Sequence, residues 1–482
     1  MVREKREASL LEALIPILFL IVFLSFNVAV FGDGALDGSN QIILILSGGV
    51  AALVATRLGY NWEEIQKGIT RSINSAMPSI LILLMIGSLA GSWLISGIVP
   101  AMIYYGLQIL NPTIFLFAST VVCAIVSMAT GSSWTTSATV GIALIGIGQT
   151  MGIHEGLVAG SILSGAYFGD KMSPLSDTTN LAPAMAGTDL FTHIRYMTLT
   201  TVPSITITLV IFLVVGFVYN PEVSELGTAS VLQAIEAKFS VNPLLFVVPV
   251  VVIVMIVKKV PALPALLAGT LLGIVFALIF QRDVIAEVAA HSGSNLEVLF
   301  VGCMKALYGS VGVTTNNEMV NELLSSGGMY GMLNTVWLIV SAMIFGGIME
   351  GTGLLKKIAA TIIQWVNSAG SLIASTAGTC VFFNVTASDQ YLAIVVPGRM
   401  YADMYKEKGL APENLSRTLE DSGTVTSVLI PWNTCGAYHS SVLGVGTLAF
   451  APYCFFNIIS PIMTVIYGYF NIKIKKLTKK ED

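Results

Sequence analysis

The feature that most constrains this chain is the length over which it carries no charged residue. Between Arg71 and Glu155 there is no Asp, Glu, Lys or Arg, and the same holds between Asp421 and Lys473. A helix that spans the hydrocarbon core of a bilayer needs about 20 apolar residues, so each stretch has room for several spans. Shorter charge-free runs lie at 13–32, 38–56, 196–221, 239–257, 260–281, 323–349 and 358–388.

Composition and periodicity agree with a helical membrane protein. Charged residues make up 11% of the chain, whereas soluble domains contain about 25%. The apolar runs are continuous, and a membrane β-barrel would instead show alternating segments of about ten residues. The sequence therefore predicts an all-α integral membrane protein with about 11 to 14 membrane helices or hairpins. We expect the lipid bilayer, and no nucleic acid, as a partner.

Basic residues indicate the orientation, because Lys and Arg concentrate in cytoplasmic loops. Arg3, Lys5 and Arg6 precede the first apolar run, and the chain ends in the basic tail KIKKLTKKED. The first apolar run is followed by no small-residue cleavage site, so it reads as a membrane helix rather than a removed signal. We predict a multi-pass protein of the plasma (inner) membrane with both termini in the cytoplasm.

The chain contains an internal repeat. Sliding it by 256 residues matches 87–140 to 343–396 without a gap. Polar identities, which carry more weight in an apolar chain, include Asn111/Asn367, Ser119/Ser375, Thr120/Thr376, Thr130/Thr386 and Ser132/Ser388. By the charge distribution the first copy starts from inside and the second from outside. Two inverted repeats with broken helices are typical of secondary transporters.

The repeat divides the chain into five segments. We predict an N-terminal two-helix scaffold at 1–73, repeat 1 at 74–221, a linker with scaffold helices at 222–322, repeat 2 at 323–472 and a basic cytoplasmic tail at 473–482.

Each repeat contains a polar break within an apolar run. The first is MATGSSWTTSAT (128–139) and the second is FNVTASDQYLA (383–393). Small and hydroxylated residues can unwind a helix and free carbonyl and hydroxyl oxygens, which are ligands suited to Na⁺. The alternative is that each hydroxyl bonds back within its own helix. The candidate oxygen ligands in the breaks are Thr130, Ser132, Ser133, Asn384, Thr386 and Ser388.

Acidic residues accompany both polar breaks. Two follow the first break, one lies within the second break, and one follows the second break. Asp170 and Asp177 lie in YFGDKMSPLSDTTNLAP (167–183), Asp389 lies in the second break, and Asp421 follows it. Asp170 and Asp421 correspond if the second copy has lost five residues. An intramembrane carboxylate is costly and points to function. Such a group can hold a proton or a cation, because desolvation favours the protonated form and a bound cation the ionised form.

Each carboxylate also has a structural interpretation. Asp170 could be a loop residue paired with Lys171 at the membrane surface, and Asp177 could cap the helix that follows. Asp421 could be the charged end of the loop 399–421, whereas Asp389 has apolar residues on both sides. Further candidate contacts to ion or substrate in these segments are Thr178, Asn180, Asn433 and Thr434.

Other motifs narrow the function by their absence. The sequence has no Walker A motif, no GxGxxG after a strand, no HExxH and no paired CxxC. We therefore expect no enzyme, no cofactor and no transition metal. His439 lies in a charge-free run, where it could relay protons, but a hydrogen-bonded core histidine is the favoured interpretation.

Three segments carry a resemblance to a known family. GSSWTTSATVGIALIGIG (131–148), GAYFGDKMSPLSDTTNLAPAMAGTDLFTHIRYM (165–197) and PWNTCGAYHSSVLGV (431–445) resemble the NhaC-type Na⁺/H⁺ antiporters. That family belongs to the ion transporter superfamily, and its relatives include malate–lactate antiporters. The resemblance covers nearly the whole chain.

The resemblance implies a fold and a mechanism. Each inverted repeat would contain a re-entrant hairpin, with tips near 130–135 and 384–389, and a broken helix, near 170–183 and 421–434. A homodimer working by elevator-like alternating access would exchange Na⁺ for H⁺. Asp170 and Asp389 would be the first candidate carboxylates, with Asp177 and Asp421 next.

Two alternative functions stay open. One is a Na⁺-coupled carrier or antiporter of small organic acids, of the malate/lactate type, or of amino acids, on the same fold. Lys171 is the only fixed cation near the breaks, which favours simple cation exchange over carriage of an organic anion. The other alternative is a passive channel or a membrane sensor.

Overall fold

A computed structural model describes residues 5–31, 35, 38–109, 111–218, 225–317, 320–321, 324–363 and 367–477. Arg3, the segment limits at 221–222 and 322–323, and residues 478–482 of the basic tail lie outside this part of the chain.

The described residues are almost entirely helical. The first fifteen helices are α1 Leu10–Phe31, α2 Ser39–Arg57, α3 Trp62–Ile95, α4 Ile98–Ile109, α5 Pro112–Thr130, α6 Ser133–Thr136, α7 Ile142–Thr150, α8 Glu155–Met172, α9 Asp177–Ala186, α10 Leu190–Val218, α11 Glu225–Lys238, α12 Val247–Val257, α13 Ala262–Phe280, α14 Arg282–Ala289 and α15 Asn295–Tyr308. Then follow β1 Val311–Gly312, β2 Ser325–Ser326, α16 Gly328–Gly331, α17 Leu333–Gly351, α18 Leu354–Ile363, α19 Ala369–Thr386, α20 Leu392–Glu407, α21 Pro412–Leu419, α22 Thr434–Leu443, α23 Thr447–Phe450 and α24 Phe455–Tyr469.

These helices confirm the predicted all-α membrane fold. Among the described residues, eight helices are long and apolar enough to cross a membrane, or up to ten if two bent pairs each form one span. The eight include the first arm of each hairpin, α5 and α19; the second arms and the half-helices come in addition. Large apolar side chains such as Leu11, Leu53 and Val218 are 78%, 69% and 80% exposed, as expected for helix faces that meet lipid tails. The pair β1–β2 is a two-residue antiparallel ladder, Val311 opposite Ser326 and Gly312 opposite Ser325.

The helix pattern repeats at the spacing seen in the sequence. α3 ends at Ile95 and α17 at Gly351, and α5 ends at Thr130 and α19 at Thr386. Gly97 and Gly353 follow the first pair of helices and have positive φ angles of 78° and 74°. A left-handed residue at both positions turns the chain sharply into the next helix. Each repeat therefore begins with the same helix–turn–helix unit.

The two repeats have opposite orientations. α3 and α17 hold corresponding positions, and they pack against each other as antiparallel helices. A Cβ built on Gly68 would lie 2.6 Å from the Gly347 carbonyl oxygen, and one on Gly87 would lie 2.3 Å from that of Gly328. From the N-terminal to the C-terminal part of α3, the contacted residue moves back from Gly347 to Gly328. The two equivalent helices therefore run in opposite directions, as inverted repeats require.

The first re-entrant hairpin consists of α5 and the segment α6–α7. A Cβ on Gly148 of α7 would lie 3.0 Å from Phe115 of α5, so the two arms are antiparallel around a tip at Gly131 and Ser132. α8 then runs parallel to α5: Gly165 approaches Thr120 and Gly169 approaches Ala124. The hairpin thus enters and leaves on one side, and α8 follows it inward.

The second hairpin has the same construction. Thr379 Oγ1 of α19 and the Tyr401 hydroxyl of α20 are 2.8 Å apart, and the Tyr405 hydroxyl donates to Thr376 Oγ1 at 3.2 Å. The arms are therefore antiparallel around a tip at residues 387–391.

The broken helices differ in detail from the expectation. The unwound segment after α8 covers only residues 173–176; Asp170 and Lys171 lie in the last turn of α8, and Pro183 lies inside α9. Ser176, and not Asp177, caps α9, with its side chain accepting from the Thr179 amide. In repeat 2, α21 continues as a π-helical turn at Glu420–Thr424, a 3₁₀ turn follows at Ser427–Leu429, and Asn433 caps α22.

The helix starts also correct the predicted pairing of carboxylates. α8 and α21 begin at Glu155 and Pro412, and α9 and α22 begin at Asp177 and Thr434, both 257 residues apart. The prolines of the two breaks, Pro174 and Pro431, keep the same spacing. No five-residue loss is present, so the pairing of Asp170 with Asp421 is wrong.

Candidate functional site

Both hairpin tips and both breaks meet at one cavity of about 640 Å³. Because each hairpin enters from its own side and stops part-way, the tips bring irregular backbone to the middle of the protein. Residues of α3 and of the turn between α12 and α13 complete the wall. The lining from the tips and breaks includes Gly131, Ser132, Trp134, Pro174, Leu175, Ser176, Gln390, Tyr391, Thr434 and Cys435.

Asp170 is the buried carboxylate of this cavity. It lines the cavity and is 6% exposed. Its Oδ2 accepts hydrogen bonds from the Ser133 amide at 3.1 Å and from Ser133 Oγ at 2.7 Å, and Ser176 of the first break lines the same cavity. The first hairpin therefore holds this group at the cavity wall.

Asp389 lies in the second tip and is 3% exposed. Its Oδ1 accepts from the Leu392 amide at 2.9 Å, and its chain neighbours Gln390 and Tyr391 line the cavity. Ser388 has a φ angle of 58°, and its buried hydroxyl has no hydrogen-bond partner among the described residues. The Ser388 carbonyl accepts from the Thr434 amide at 3.0 Å, which joins tip and break in repeat 2.

Asp177, Thr178 and Asn180 line the cavity from α9. Asp177 and Asn180 are exposed, whereas Thr178 is buried. The Asn180 amide donates to the backbone carbonyls of Pro174 (3.0 Å) and Ser176 (2.7 Å), so it braces the unwound segment.

Asp421 has a different environment from the other predicted carboxylates. It does not belong to the cavity lining, and both it and Lys171 are fully buried and form an ion pair with each other. Its Oδ2 accepts from Thr200 Oγ1 at 2.8 Å, and Ser460 Oγ lies 3.0 Å from Lys171 Nζ. Lys171 thus pairs with Asp421, 250 residues away, and not with its neighbour Asp170.

The other predicted oxygen ligands fall into two groups. Thr130, Ser132 and Thr434 line the cavity, whereas Asn384 and Asn433 connect the second tip to its break. The Asn433 amide donates to the Asn384 carbonyl at 3.0 Å, and the Asn384 amide donates to the Gly423 carbonyl at 2.7 Å. The Thr386 hydroxyl donates to the Phe382 carbonyl of its own helix at 2.7 Å. For this residue the alternative interpretation, a hydroxyl that bonds back within its own helix, is correct.

Two charged groups escaped the sequence-based prediction. Glu420 is fully buried and contacts Thr178, and Lys259 lines the cavity from the turn before α13. Glu420 could have been noticed as a carboxylate beside Asp421 at the start of a long charge-free run. Lys259 could not, because only the fold brings its loop to the breaks.

The expectation for His439 is wrong. Neither of its ring nitrogens has a hydrogen-bond partner among the described residues, although the side chain is fully buried. It lies instead among aromatic rings, with centroids 5.1 Å from Tyr438 and 5.5 Å from Tyr167. Tyr438 stacks on Trp134 at a centroid distance of 3.8 Å, so aromatic packing closes the cavity on this side.

Comparison with known proteins identifies the family. The profile of the Na⁺/H⁺ antiporter family matches residues 165–472, which is more than half of the chain. The chain belongs to the Na⁺/H⁺ antiporter family. The match begins within α8 and includes the first break, α9 and all of repeat 2. The predicted NhaC-type resemblance is thereby confirmed.

Three relatives show the range of transport within this family. The malate-2H⁺/Na⁺-lactate antiporter of Bacillus subtilis is 36% identical over 469 residues, covering 97% of this chain and 96% of its own. The Na⁺/H⁺ antiporter NhaC of Alkalihalophilus pseudofirmus is 35% identical and covers 89% of each chain. The arginine/ornithine antiporter ArcD of Halobacterium salinarum is 36% identical, covering 97% and 93%. The protein is therefore a multi-pass membrane antiporter and not an enzyme.

Proposed function

We propose that the protein exchanges Na⁺ for H⁺ across the plasma membrane by alternating access. The observation that carries the proposal is the buried carboxylate of Asp170, held at one cavity where both tips and both breaks converge. A carboxylate in this position can bind either ion but not both, which couples the two fluxes.

The chemistry follows from the oxygen atoms around Asp170. Na⁺ entering the cavity meets the carboxylate together with oxygens of Thr130, Ser132 and Thr434, which are hard ligands. The Ser133 amide and hydroxyl stabilise the ionised form of Asp170, as hydrogen bonds to a carboxylate do. Asp177, exposed at the cavity wall, attracts cations toward it.

Asp389 and Asp421 take different parts in this proposal. Asp389 is a second candidate for ion or proton binding, because its tip borders the cavity. Asp421 neutralises Lys171 within the protein, and this contact makes it a positioning residue rather than an ion ligand.

The basic residues support an orientation for the cavity. Lys259 lines it, and the loop with Lys258 and Lys259 is predicted to be cytoplasmic by its charge. In this proposal the cavity opens toward the cytoplasm. In the elevator-like mechanism, the hairpins and broken helices move as one body against α3 and α17 of a homodimer.

Proteoliposomes that report internal pH test the proposal. A Na⁺ gradient should drive proton movement in the wild type, also against a proton gradient, which a channel cannot do. Asp170→Asn and Asp389→Asn should abolish the response, whereas Asp403→Asn, at an exposed position of α20, should retain it. Full exchange by Asp170→Asn would overturn the assignment.

The cavity also favours a second candidate function, in which a small organic anion is an additional transported substrate. The cavity volume of about 640 Å³ lies within the range of about 300–1,000 Å³ of small-molecule sites. Lys259 supplies the fixed cation that a substrate carboxylate would require. A relative named for malate and lactate supports this candidate.

Radiolabelled malate, lactate and arginine uptake tests the second candidate. Lys259→Ala should reduce uptake and leave Na⁺/H⁺ exchange in place, and the neighbouring Lys258→Ala serves as the matched control outside the lining. Equal uptake by both variants would exclude a substrate role for Lys259.

A further inference from the structure

Glu420 is a buried carboxylate to which the proposed ion exchange gives no role. It is the first residue of the π-helical turn Glu420–Thr424 that ends the first half of the second broken helix. π-helical turns inside α-helices are frequent at functional sites. Its side chain is fully buried, and its Oε2 has no hydrogen-bond partner among the described residues.

A chain of hydroxyl groups leads from Glu420 toward Asp170. Thr178 Oγ1 donates to Glu420 Oε1 at 3.0 Å, and Thr178 Oγ1 lies 3.1 Å from Ser176 Oγ. Ser176 and Asp170 line the same cavity, so the chain of hydroxyls ends at the cavity wall that carries Asp170. Ser176, Thr178 and Asp170 are 1%, 4% and 6% exposed, so the chain is shielded from bulk water except where it borders the cavity.

The charges around this chain leave both of its carboxylates, Asp170 and Glu420, without an ion-pair partner among the described residues. On α8, Lys171 is already paired with Asp421. On the helix of Glu420 itself, the Arg417 guanidinium stacks on Tyr196 at 4.7 Å and forms no ion pair within the described residues.

On α10, the fully buried His193 places its Nδ1 2.8 Å from Ser416 Oγ. The helices α9, α19, α20 and α24 add no buried charge. On α9, Asp177 is exposed. The charged residues of α20 are all exposed, and α19 and α24 contain no Asp, Glu, Lys or Arg. Asp170 and Glu420 therefore face each other across two hydroxyls with no cation between them.

We propose that Asp170 and Glu420 share one proton through Ser176 and Thr178, and that Na⁺ replaces this shared proton. The inference rests on the proposed Na⁺/H⁺ exchange. Two carboxylates with one proton carry the same net charge as two ionised carboxylates with one Na⁺, so the exchange leaves the buried charge unchanged. Coupled carboxylates of this kind titrate as a pair.

The transfer is balanced along the chain. With the proton on Glu420, its O–H donates to Thr178, Thr178 donates to Ser176, and Ser176 donates to Asp170. Each hydroxyl oxygen gains one proton and gives up its own, so that one proton arrives at Asp170 and Glu420 becomes ionised. From Asp170 the proton passes to water in the cavity when Na⁺ arrives. No bond between heavy atoms changes, and no electron is transferred.

Substitutions at Thr178 test the relay without removing either carboxylate. Thr178→Val deletes the hydroxyl, and Thr178→Ser retains it. We expect Thr178→Val to slow exchange about tenfold or more, as loss of a proton-transfer group does, and Thr178→Ser to restore it.

Glu420→Gln should shift the pH profile of exchange to more acidic values, because a like charge near Asp170 has been removed. Glu413→Gln, on the same helix and also buried, should leave the profile unchanged.

A second measurement is independent of transport. Infrared difference spectra of the detergent-solubilised protein without Na⁺ should show a protonated carboxyl that titrates, changes in Thr178→Val and returns in Thr178→Ser. If neither spectrum nor pH profile responds to Glu420→Gln and Thr178→Val, the relay is refuted. If the wild type shows no Na⁺/H⁺ exchange, the proposed function fails, and the spectra still decide whether the carboxyls share a proton.

Discussion

Lys171→Met isolates the contribution of the buried ion pair. Lys171 and Asp421 are both fully buried, and Asp421 also accepts from Thr200 and Ser460. Met replaces the Lys stem with similar bulk but leaves the Asp421 carboxylate without its counter-charge. We expect Lys171→Met to lower the free energy of unfolding by about 3–5 kcal/mol, the usual cost of breaking a buried pair.

The double variant separates pairing from burial. In Lys171→Met with Asp421→Asn, both charges are gone and the amide oxygen still accepts from Thr200. Replacing both members of a buried pair is often close to neutral, so we expect the double variant to lie within about 2 kcal/mol of the wild type. The coupling energy of the cycle is then at least about 1 kcal/mol, outside the additivity error of about 0.5 kcal/mol.

Denaturant unfolding in detergent micelles provides the assay, and Lys406→Met provides the control. Lys406 pairs with Asp403 at 3.8 Å on an exposed face, so its loss should have no measurable effect. A double variant as unstable as the sum of the two single ones would refute the reasoning.

Three further predictions concern packing and access. Gly87→Ala should lower the free energy of unfolding by about 1–3 kcal/mol, because the added Cβ would lie 2.3 Å from the Gly328 carbonyl oxygen. Gly49 has open space around it, so Gly49→Ala should leave the stability unchanged. Asn180→Cys should react with a membrane-impermeant thiol reagent only when the reagent is added on the cytoplasmic side. The native cysteines are buried and give a low background. Labelling only from the outside would show that the proposed orientation of the cavity is wrong. Tyr438→Phe should lower the free energy of unfolding by about 1 kcal/mol, because its hydroxyl donates to the Trp134 carbonyl of α6 at 3.0 Å. Unchanged thermal unfolding would contradict this.

Local sequence signals predicted the parts of the fold that depend on local physics. Long charge-free runs can only be stable in lipid, and so indicated the spans. The polar breaks lie where backbone must leave the helix, and the offset of 256 residues places Thr130 and Thr386 at corresponding helix ends. The limits of the breaks were less well predicted, because Asp170 and Lys171 still complete a helical turn before Ser173.

The chain by itself determined a helical membrane protein with two inverted repeats, two polar breaks and carboxylates beside them. Only the tertiary structure decided which charges meet. Lys171 pairs with Asp421 rather than Asp170, and Glu420 is joined through Thr178 to Ser176 at the cavity wall. These partners are distant in sequence, and a buried charge takes whichever partner the packed helices bring within hydrogen-bonding distance. Spacing along the chain carries no information about that choice.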